Sequence, residues 1–484
     1  MSFRASCLHS QAVAHPSQPA LVVGTQALTF DQLARRVDGL AARFVEARWP
    51  GAAVGVWLPD DLPLVEAIWA VPRAGAILVP LHARLPGPEL AAYLAEVHCT
   101  RLYTTQALYA GVQQALSDSL EVMFVEAAPP SSGSLDPGEA VPEEALHSIL
   151  LTSGTTGQPK AVRLTYGNHR SSAASWCRFL QITSSDHYLC PLPLSHVGGL
   201  GILFRGALVG FKVTCLPKFS AAAVNQALDG GAVTHVSLVP TQLHRMIKLR
   251  GGRHFSRELK ALVLGGGPAS PELIDQALEL GAPLVKTYGM TETASGVTAF
   301  RVWEHPGKRA SAGQPLGSAT LSILNADGSP VPLREVGNIA VQGPSVMAGY
   351  LDGPATGGQL VTRDRGWLDE DGFLYVTPGP LALIISGGEN VDPLEVEQVL
   401  LGIPHVQEAC VVGIPDADLG QRVVAVVVAE PGQPLDELAL VRACRQKLAA
   451  FKVPKSIIVW PALPKTPVGK VQRRKVLDRL LREA

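Results

Sequence analysis

The chain has 484 residues, which is too many for one compact core and indicates two or more domains. Its hydrophobic fraction of 47% and charged fraction of 17% are typical of a globular enzyme and argue against a disordered chain. A net charge of −1 provides no basic field to hold nucleic acid or an anionic membrane, so we expect neither as a partner.

The seven cysteines are odd in number, scattered and without a C-x-x-C pair, which argues against a disulfide framework and a zinc site. Such usage fits a reducing cytoplasm. No signal peptide is evident, and no apolar stretch approaches the roughly 20 residues that a membrane span requires. We therefore expect a cytoplasmic protein without a membrane span. The sequence leaves the oligomeric state open, including a homo-oligomer.

The first part of the chain alternates between strand-like and helix-like runs. Residues 20–23, 54–58 and 75–81 are short apolar runs that predict strands, and a helix is predicted to start near Thr29. The repeated βα pattern predicts a parallel sheet covered by helices.

Residues 149–164 carry two apolar runs, predicted as strands, around a loop of hydroxyls, glycines and one lysine. The loop comprises Thr152, Ser153, Gly154, Thr155, Thr156, Gly157 and Lys160. Glycines let backbone N–H groups approach an oxyanion, hydroxyls donate hydrogen bonds and lysine adds positive charge, so the loop predicts a phosphate cradle. A plain hairpin turn has a similar composition. A Walker loop is excluded because Pro159 and Ala161 occupy positions that it reserves for glycine and a hydroxyl.

Three features follow this loop. A helix is predicted from Asn168, as its N-cap, to about residue 181. His196 precedes Gly198 and Gly199 and, taken alone, predicts a histidine that caps a turn. Arg205 lies in an apolar helix, where it either extends to solvent or pairs with a substrate carboxylate.

Residues 235–287 repeat strand and helix, and two polar segments fall at the carboxyl ends of strands, where α/β sheets bind ligands. The first, a glycine run that is equally typical of a tight turn, comprises Gly265, Gly266, Gly267 and Pro268. The second comprises Tyr288, Gly289, Met290, Thr291 and Glu292. A flat ring, a hydroxyl and a carboxylate suit stacking on a purine, bonding a phosphate and holding Mg²⁺.

The remaining chain predicts a small β subdomain at about 310–377 and an α+β region from about 382. The acidic residues 369–371 predict a solvated turn. The C-terminal region has predicted helices at 392–401 and 435–449 and strands near 408–412 and 423–428. Its basic tail ends in Arg473, Arg474 and Lys475, which we interpret as surface charges.

Several motifs occur in order between residues 75 and 475: T-S-G-T-T-G-x-P-K, Y-G-x-T-E, I-I-S-G-G-E-N and P-x-T-x-x-G-K. Together they resemble the adenylate-forming enzymes, which include acyl- and aryl-CoA ligases. The resemblance implies an α/β fold. A large N-terminal domain of doubly wound βα subdomains plus a small β subdomain would span 1–377, with a hinge at 378–382 and a small mobile α+β lid domain at 383–484.

The resemblance also implies a reaction that uses ATP, Mg²⁺ and CoA, and it gives roles to single residues. Thr152 to Lys160 would hold the β- and γ-phosphates, Thr291 the α-phosphate, Glu292 the magnesium and Asp364 the ribose hydroxyls. Lys470 would be the catalytic lysine. The other implied nucleotide contacts are Gly266, Gly267, Pro268, Tyr288, Gly289 and Met290. The implied acyl-substrate contacts are His196, Gly199, Arg205, Gly265 and Gly289, with glycines leaving room for the ligand. Gly387 and Gly388 would line the route of CoA.

Within that family, the segments around His196, Gly265, Tyr288 and Ser386 most resemble 2-succinylbenzoate–CoA ligases of menaquinone biosynthesis. We therefore hypothesise that Arg205 pairs with the aromatic carboxylate of this diacid. Two alternatives stay open: a CoA ligase for another aryl or acyl acid, and an adenylation-type fold that binds ligands with weak turnover. The second is motivated by the hinge segment Gly379, Pro380, Leu381 and Ala382, where Gly379 and Leu381 replace the family's arginine and polar pivot.

Overall fold

The structure, a computed structural model, describes residues 6–127, 138–153, 159–267, 269, 271–377, 383–464, 471 and 473–483. We refer to residues 6–377 as the N-terminal unit and to residues 383–483 as the C-terminal unit. The helices are α1 (Cys7–Ala14), α2 (Phe30–Glu46), α3 (Leu62–Arg73), α4 (Gly87–Glu96), α5 (Gln106–Ala110), α6 (Tyr166–Leu180), α7 (Val197–Val209), α8 (Ala221–Asp229), α9 (Pro240–Arg250), α10 (Pro271–Glu279), α11 (Pro393–Leu401), α12 (Glu437–Lys447) and α13 (Arg473–Glu483).

The first fifteen strands are β1 (Pro19–Val23), β2 (Gln26–Thr29), β3 (Ala53–Leu58), β4 (Ile77–His82), β5 (Arg101–Thr104), β6 (Glu121–Phe124), β7 (Leu146–Ser153), β8 (Pro159–Thr165), β9 (His187–Cys190), β10 (Lys212–Cys215), β11 (His235–Leu238), β12 (Ala261–Leu264), β13 (Leu284–Met290), β14 (Ser295–Arg301) and β15 (Gln314–Pro315). The others are β16 (Thr320–Leu324), β17 (Gly337–Gln342), β18 (Gly349–Tyr350), β19 (Gln359–Leu368), β20 (Leu374–Thr377), β21 (Ile384–Ser386), β22 (Glu389–Val391), β23 (Val406–Asp416), β24 (Gly420–Ala429) and β25 (Ser456–Val459).

Two large sheets form the body of the N-terminal unit. In the described residues, one has the strand order β15-β14-β13-β12-β11-β9-β10-β1-β2 and the other β18-β8-β7-β4-β3-β5-β6. Strands β10, β9, β11, β12 and β13 are mutually parallel, as are β4, β3, β5 and β6. Apolar residues of both sheets and of α2, α3, α6 and α7 share the largest core. Parallel sheets covered by helices are what the repeated βα pattern predicts.

Two smaller sheets complete the architecture. The first has the order β16-β17-β19-β20 and is antiparallel, and it is the predicted small β subdomain. The second has the order β22-β21-β24-β23 with β25 beside β24, and it lies within the C-terminal unit together with α11, α12 and α13. The predicted α/β fold, with its small β subdomain and α+β C-terminal region, is confirmed. The predicted hinge, 378–382, lies outside the described residues.

Three local predictions are wrong in instructive ways. The N-cap of α6 is Thr165, and Asn168 completes the capping box as the third helical residue, where its side chain accepts the Thr165 N–H at 2.9 Å. Of the predicted solvated turn 369–371, Glu370 and Asp371 are exposed, but Asp369 is buried and accepts a hydrogen bond from Lys308 at 2.6 Å. Arg473 begins α13 and pairs with Glu397, with one N···O distance of 3.1 Å, and is not a surface charge.

No helix in the described ranges is both long and apolar enough to cross a membrane. All seven cysteines are free thiols.

A buried charge cluster ties the first three helices together. Asp38 on α2 accepts hydrogen bonds from Arg73 Nε at 2.8 Å and is 2.9 Å from His9 Nε2 on α1. The side chains of Asp38 and Arg73 are fully buried. We expect Arg73→Met to lower the free energy of unfolding by about 3 kcal/mol, because it removes the main partner of a buried carboxylate.

Urea unfolding followed by circular dichroism measures this change. Arg35→Met is the control, since Arg35 pairs with Asp31 on the exposed side of α2 and should leave the midpoint nearly unchanged. Equal midpoints for the Arg73 variant and the native chain would contradict the expectation.

Candidate active site

The predicted phosphate loop connects β7 to β8, which pair antiparallel with Thr152 opposite Lys160. Thr152 Oγ1 donates a hydrogen bond to the Lys160 carbonyl at 3.4 Å, and Ser153 is the last residue of β7. The residues of this loop that lie outside the described ranges are Gly154, Thr155, Thr156, Gly157 and Gln158. The predicted flanking strands are therefore confirmed, and the phosphate cradle stays a prediction.

Lys160 and Glu292 lie far apart in the sequence and meet at Tyr350. Lys160 Nζ is 4.8 Å from the centroid of the Tyr350 ring, and Tyr350 Oη donates a hydrogen bond to Glu292 Oε1 at 2.8 Å. Desolvation and then the charge of Arg363 lower the pKa of Lys160, while Glu292 opposes them. Burial and the charge of Glu292 raise the pKa of Tyr350, so its hydroxyl remains a donor.

Tyr288 and Asp364 are also brought together. Tyr288 lies near the end of β13 and Asp364 lies on β19 of the small subdomain. The Tyr288 hydroxyl donates a hydrogen bond to Asp364 Oδ2 at 2.8 Å. Burial, followed by the charge of Asp364, raises the pKa of Tyr288. The Tyr288 ring, predicted to stack on the purine, and the Asp364 carboxylate, predicted to bind the ribose, are therefore adjacent.

The glycine run leaves the carboxyl end of β12 beside the exit of β13. A Cβ on Gly265 would lie 2.6 Å from Thr287 Cγ2, so the two exits approach closely. Gly266 has a φ of +76°, which favours glycine. A Cβ on Gly267 would lie 2.9 Å from Ile385 Cδ1 of the C-terminal unit. Pro268 is outside the described residues.

Two of the glycines predicted to contact the acyl substrate are also required by the close packing of the backbone. A Cβ on Gly289 would lie 2.1 Å from the Ser295 carbonyl oxygen, and one on Gly199 would lie 2.4 Å from the Pro193 carbonyl oxygen. Close backbone approach therefore requires both glycines, whether or not a ligand is near.

After β13 ends at Met290, a single 3₁₀ turn that starts at Thr291 carries Glu292.

Arg205 is a buried cation on α7 and does not extend to solvent. It is 2% exposed, its Nη2 donates to Ser295 Oγ at 3.1 Å and its Cζ lies 4.7 Å from the Trp176 ring. Among the described residues no carboxylate forms an ion pair with it, and its Nε has no hydrogen-bond partner. A buried guanidinium without a counter-ion is unfavourable, so this site is suited to an anionic group of a ligand.

Further polar groups surround this guanidinium. Tyr188 on β9 and Ser237 on β11 join their hydroxyls by a hydrogen bond of 2.7 Å. Burial raises the pKa of Tyr188, and the positive charge of Arg205 opposes this. The surroundings of Arg205 therefore offer hydroxyl groups on the walls of an otherwise apolar core.

His196 belongs to a contact between the two units. Its Nε2 is 3.3 Å from Glu389 Oε2, and Arg84 Nη2 donates to Glu389 Oε1 at 3.1 Å. Burial raises the pKa of Glu389, but the hydrogen bond and charge of His196 outweigh it and hold the pKa at about 2. Desolvation lowers the pKa of His196, yet Glu389 and then Asp60 outweigh it and raise the pKa above its usual value. Both shifts favour the ionised forms of the two side chains, which are the forms that make an ion pair.

The residues implied for CoA form the turn between β21 and β22. Gly387 and Gly388 have φ of +63° and +86°, as a tight hairpin turn with two positive φ angles requires. Lys470, implied as the catalytic lysine, lies outside the described residues. Its role therefore stays a prediction.

Three contributors to the site were not identified in the sequence. Tyr350 orients Glu292, and Glu389 pairs with His196. Asp60 Oδ1 accepts the Leu194 N–H at 2.8 Å and so holds the segment before His196. Glu389 lies in the S-G-G-E-N motif, so this motif could have identified it as a site residue. Tyr350 and Asp60 lie outside the motifs.

The acidic side chains of the described residues can supply only part of the ligand set of a metal ion. Within the described ranges no three His, Cys, Asp or Glu side chains are grouped as a metal site. Magnesium fits nevertheless, because it is commonly held by one or two carboxylates together with water and substrate phosphates. Glu292, which Tyr350 orients beside Lys160, is a carboxylate ligand of that type.

The ion pair between His196 and Glu389 predicts a pH-dependent contact. The contribution of Glu389 to the stability of the contact is complete above pH 4.5 and is lost as the pH falls towards 2. The contribution of His196 to the stability of the contact is complete below pH 6.5 and is lost as the pH rises through the raised pKa of His196. We expect Glu389→Gln to lower the pKa of His196. NMR titration of histidine C–H signals measures this, with His196→Gln identifying the resonance. An unchanged His196 pKa would contradict the ion pair, and His15 serves as an internal control.

Comparison with known proteins places this geometry in a family. The family described as "AMP-binding enzyme" matches residues 8–351, and the one described as "AMP-binding enzyme C-terminal domain" matches residues 395–470. The 2-succinylbenzoate–CoA ligase of Geobacillus kaustophilus is 37% identical over 481 residues, which cover 98% of this chain and 97% of that protein.

Two solved structures of o-succinylbenzoate CoA synthetase from Bacillus subtilis are each 32% identical to the chain. A double mutant bound with its product analogue OSB-NCoA superposes with a TM-score of 0.91 and covers 99% of both chains. The complex with the acyl-adenylate intermediate OSB-AMP superposes with a TM-score of 0.73 and covers 98% of both chains. The chain therefore belongs to the AMP-binding enzyme family.

Proposed function

We propose that the chain is an ATP-dependent acid–thiol ligase that converts 2-succinylbenzoate into 2-succinylbenzoyl-CoA, a step of menaquinone biosynthesis in the cytoplasm. The observation that carries the choice of acid is Arg205, a buried cation with no carboxylate partner in the described residues. A diacid leaves one carboxylate for this guanidinium while the other reacts. The similarity to 2-succinylbenzoate–CoA ligases supports the same substrate.

The reaction has two steps. In the first, an oxygen of the succinyl carboxylate attacks the α-phosphorus of ATP, the bond to the β-phosphate breaks and pyrophosphate leaves. In the second, the thiolate of CoA attacks the acyl carbonyl and AMP leaves. The protein contributes by positioning the reactants and by placing positive charge and hydrogen-bond donors near the phosphate oxygens.

The nucleotide would lie along the carboxyl ends of β12 and β13. We assign the adenine to the face of Tyr288 and the ribose hydroxyls to Asp364, which share a hydrogen bond at the same edge. Lys160 and Glu292, joined through Tyr350, would bind the phosphates and the magnesium ion, which supplies charge neutralisation when bound. We assign Thr291 to the α-phosphate.

The acyl group would lie between α7 and β14. Arg205 and Ser295, 3.1 Å apart, would hold the aromatic carboxylate by charge-assisted hydrogen bonds. His196 lies at the start of α7, between this pocket and the C-terminal unit. We assign Lys470 to the first step, adenylation, and Gly387 and Gly388 to the route of the CoA thiol in the second step. We further propose that 378–382 joins an adenylation domain, 1–377, to a lid domain, 383–484.

The role of Arg205 predicts a substrate-dependent defect. We expect Arg205→Met to raise the KM for 2-succinylbenzoate by about 10- to 100-fold, because a charge-assisted hydrogen bond contributes about 1.5–3 kcal/mol. The KM for ATP should stay the same. Steady-state kinetics also use 4-oxo-4-phenylbutanoate, which lacks the aromatic carboxylate. The variant should treat this monoacid as the native enzyme does, and an equal loss with both acids would contradict the pairing.

The reaction itself is tested by pyrophosphate release. We expect release with ATP, Mg²⁺ and 2-succinylbenzoate, stimulated by CoA, and little release with benzoate, 4-coumarate or medium-chain fatty acids. Release with another acid in this panel would assign a different ligase specificity. No release with any acid would favour a binding protein with an adenylation fold.

A further inference from the structure

A second group of charges also joins the two units. Lys452 of the C-terminal unit donates hydrogen bonds to Glu89, to Glu395 at 2.8 Å and to the Tyr93 hydroxyl at 3.1 Å. Glu89 and Tyr93 lie on α4 of the N-terminal unit, and Glu395 lies on α11 of the C-terminal unit. We call these four residues the docking cluster.

The docking cluster is buried although it consists mainly of charged groups. Lys452 is 2% exposed and Glu89 is 7% exposed. Removing one partner of a buried ion pair leaves an uncompensated charge, so such a pair strongly favours the geometry in which both partners meet. Without Glu89, Lys452 would keep a single carboxylate, Glu395, for its buried ammonium group.

Glu89 uses both carboxylate oxygens for the C-terminal unit. While Oε1 accepts from Lys452, Oε2 accepts the backbone N–H of Ala449 at 3.1 Å. Between these two residues the ring of Phe451 packs near the His82 ring, with centroids 6.1 Å apart. Two donors on one short segment fix direction as well as distance, so this contact defines one orientation of the C-terminal unit.

The arrangement of the whole chain superposes unequally on two solved structures of similar chains. The chain superposes with a TM-score of 0.91 on the structure bound with a CoA product analogue and 0.73 on the structure with the acyl-adenylate. The orientation that brings Lys452 to Glu89 also brings Glu389 to His196 and Ile385 to Gly267. The docking cluster therefore belongs to the arrangement that resembles the product-analogue complex.

We propose that Glu89 is a positioning residue for thioester formation: by pairing with Lys452 it holds the C-terminal unit in the orientation in which CoA attacks the acyl-adenylate. The proposal rests on the proposed two-step function. Helix α4 carries none of the nucleotide or acyl contacts assigned above. Under this proposal it affects the second step alone. Adenylation would not use the contact.

Separate measurement of the two half-reactions tests this role. Glu89→Gln preserves the shape of the side chain and removes its charge. We expect thioester formation from preformed acyl-adenylate and CoA to slow by at least about tenfold in single-turnover experiments. ATP–pyrophosphate exchange without CoA should stay within about twofold of the native rate. Glu96→Gln, at the end of the same helix, is the matched control, since the Glu96 side chain forms no hydrogen bond or ion pair within the described part of the chain.

Hydrogen exchange provides a readout that needs no substrate. The Ala449 amide is bonded to Glu89, so we expect its exchange to accelerate in Glu89→Gln and not in Glu96→Gln. Tyr93→Phe removes only one neutral contact to Lys452 and should give a smaller change in the same direction.

The outcomes separate the hypotheses. Loss of the second half-reaction alone, with faster Ala449 exchange, supports the positioning role. Native rates in both half-reactions, or equal losses in both with a lowered unfolding midpoint, overturn it. If the native enzyme forms no thioester, the proposed function fails, while unchanged Ala449 exchange in Glu89→Gln would separately overturn the docking role.

Discussion

Parallel pairing of β12 with β13 is the constraint on which the site depends. Because Leu264 pairs with Lys286, the two strands end at one edge, and the glycine run leaves the sheet beside Tyr288. The antiparallel return of β14 then places Ser295 against Gly289 and gives Arg205 its hydrogen-bond partner. A single sheet edge thus supplies candidate contacts for both the nucleotide and the acid, as expected where parallel strands end.

Charged groups in the interior fall into two classes that differ in whether their counter-ion is part of the protein. Arg73 with Asp38, and Arg473 with Glu397, are compensated within the chain and serve the packing of helices. Arg205 is buried as deeply as Arg73, yet no carboxylate of the described residues pairs with it. Since burial of an uncompensated charge is unfavourable, the second class indicates where a ligand supplies the missing charge.

Two of the contacts between the two units are ion pairs. Glu389 with His196 and Glu89 with Lys452 are both short, both orientation-dependent and both formed by residues more than 190 positions apart. An apolar interface tolerates sliding, whereas ion pairs with hydrogen-bond geometry are satisfied only when donor and acceptor meet. Such an interface suits a unit that must occupy defined orientations, because each contact is either formed completely or lost.

The sequence by itself determined the α/β class, the order of the subdomains and the motif segments around Lys160, Tyr288 and Glu292, because periodicity, turn residues and motifs are local properties of the chain. Only the tertiary structure showed that Tyr350 bonds Glu292, that Asp60 holds the segment before His196 and that no carboxylate in the described part of the chain pairs with Arg205. Local pattern also misplaced the α6 cap, since several polar residues near a helix start can act as a cap. Pairing and burial of side chains depend on which distant segments meet, and a linear pattern does not contain that information.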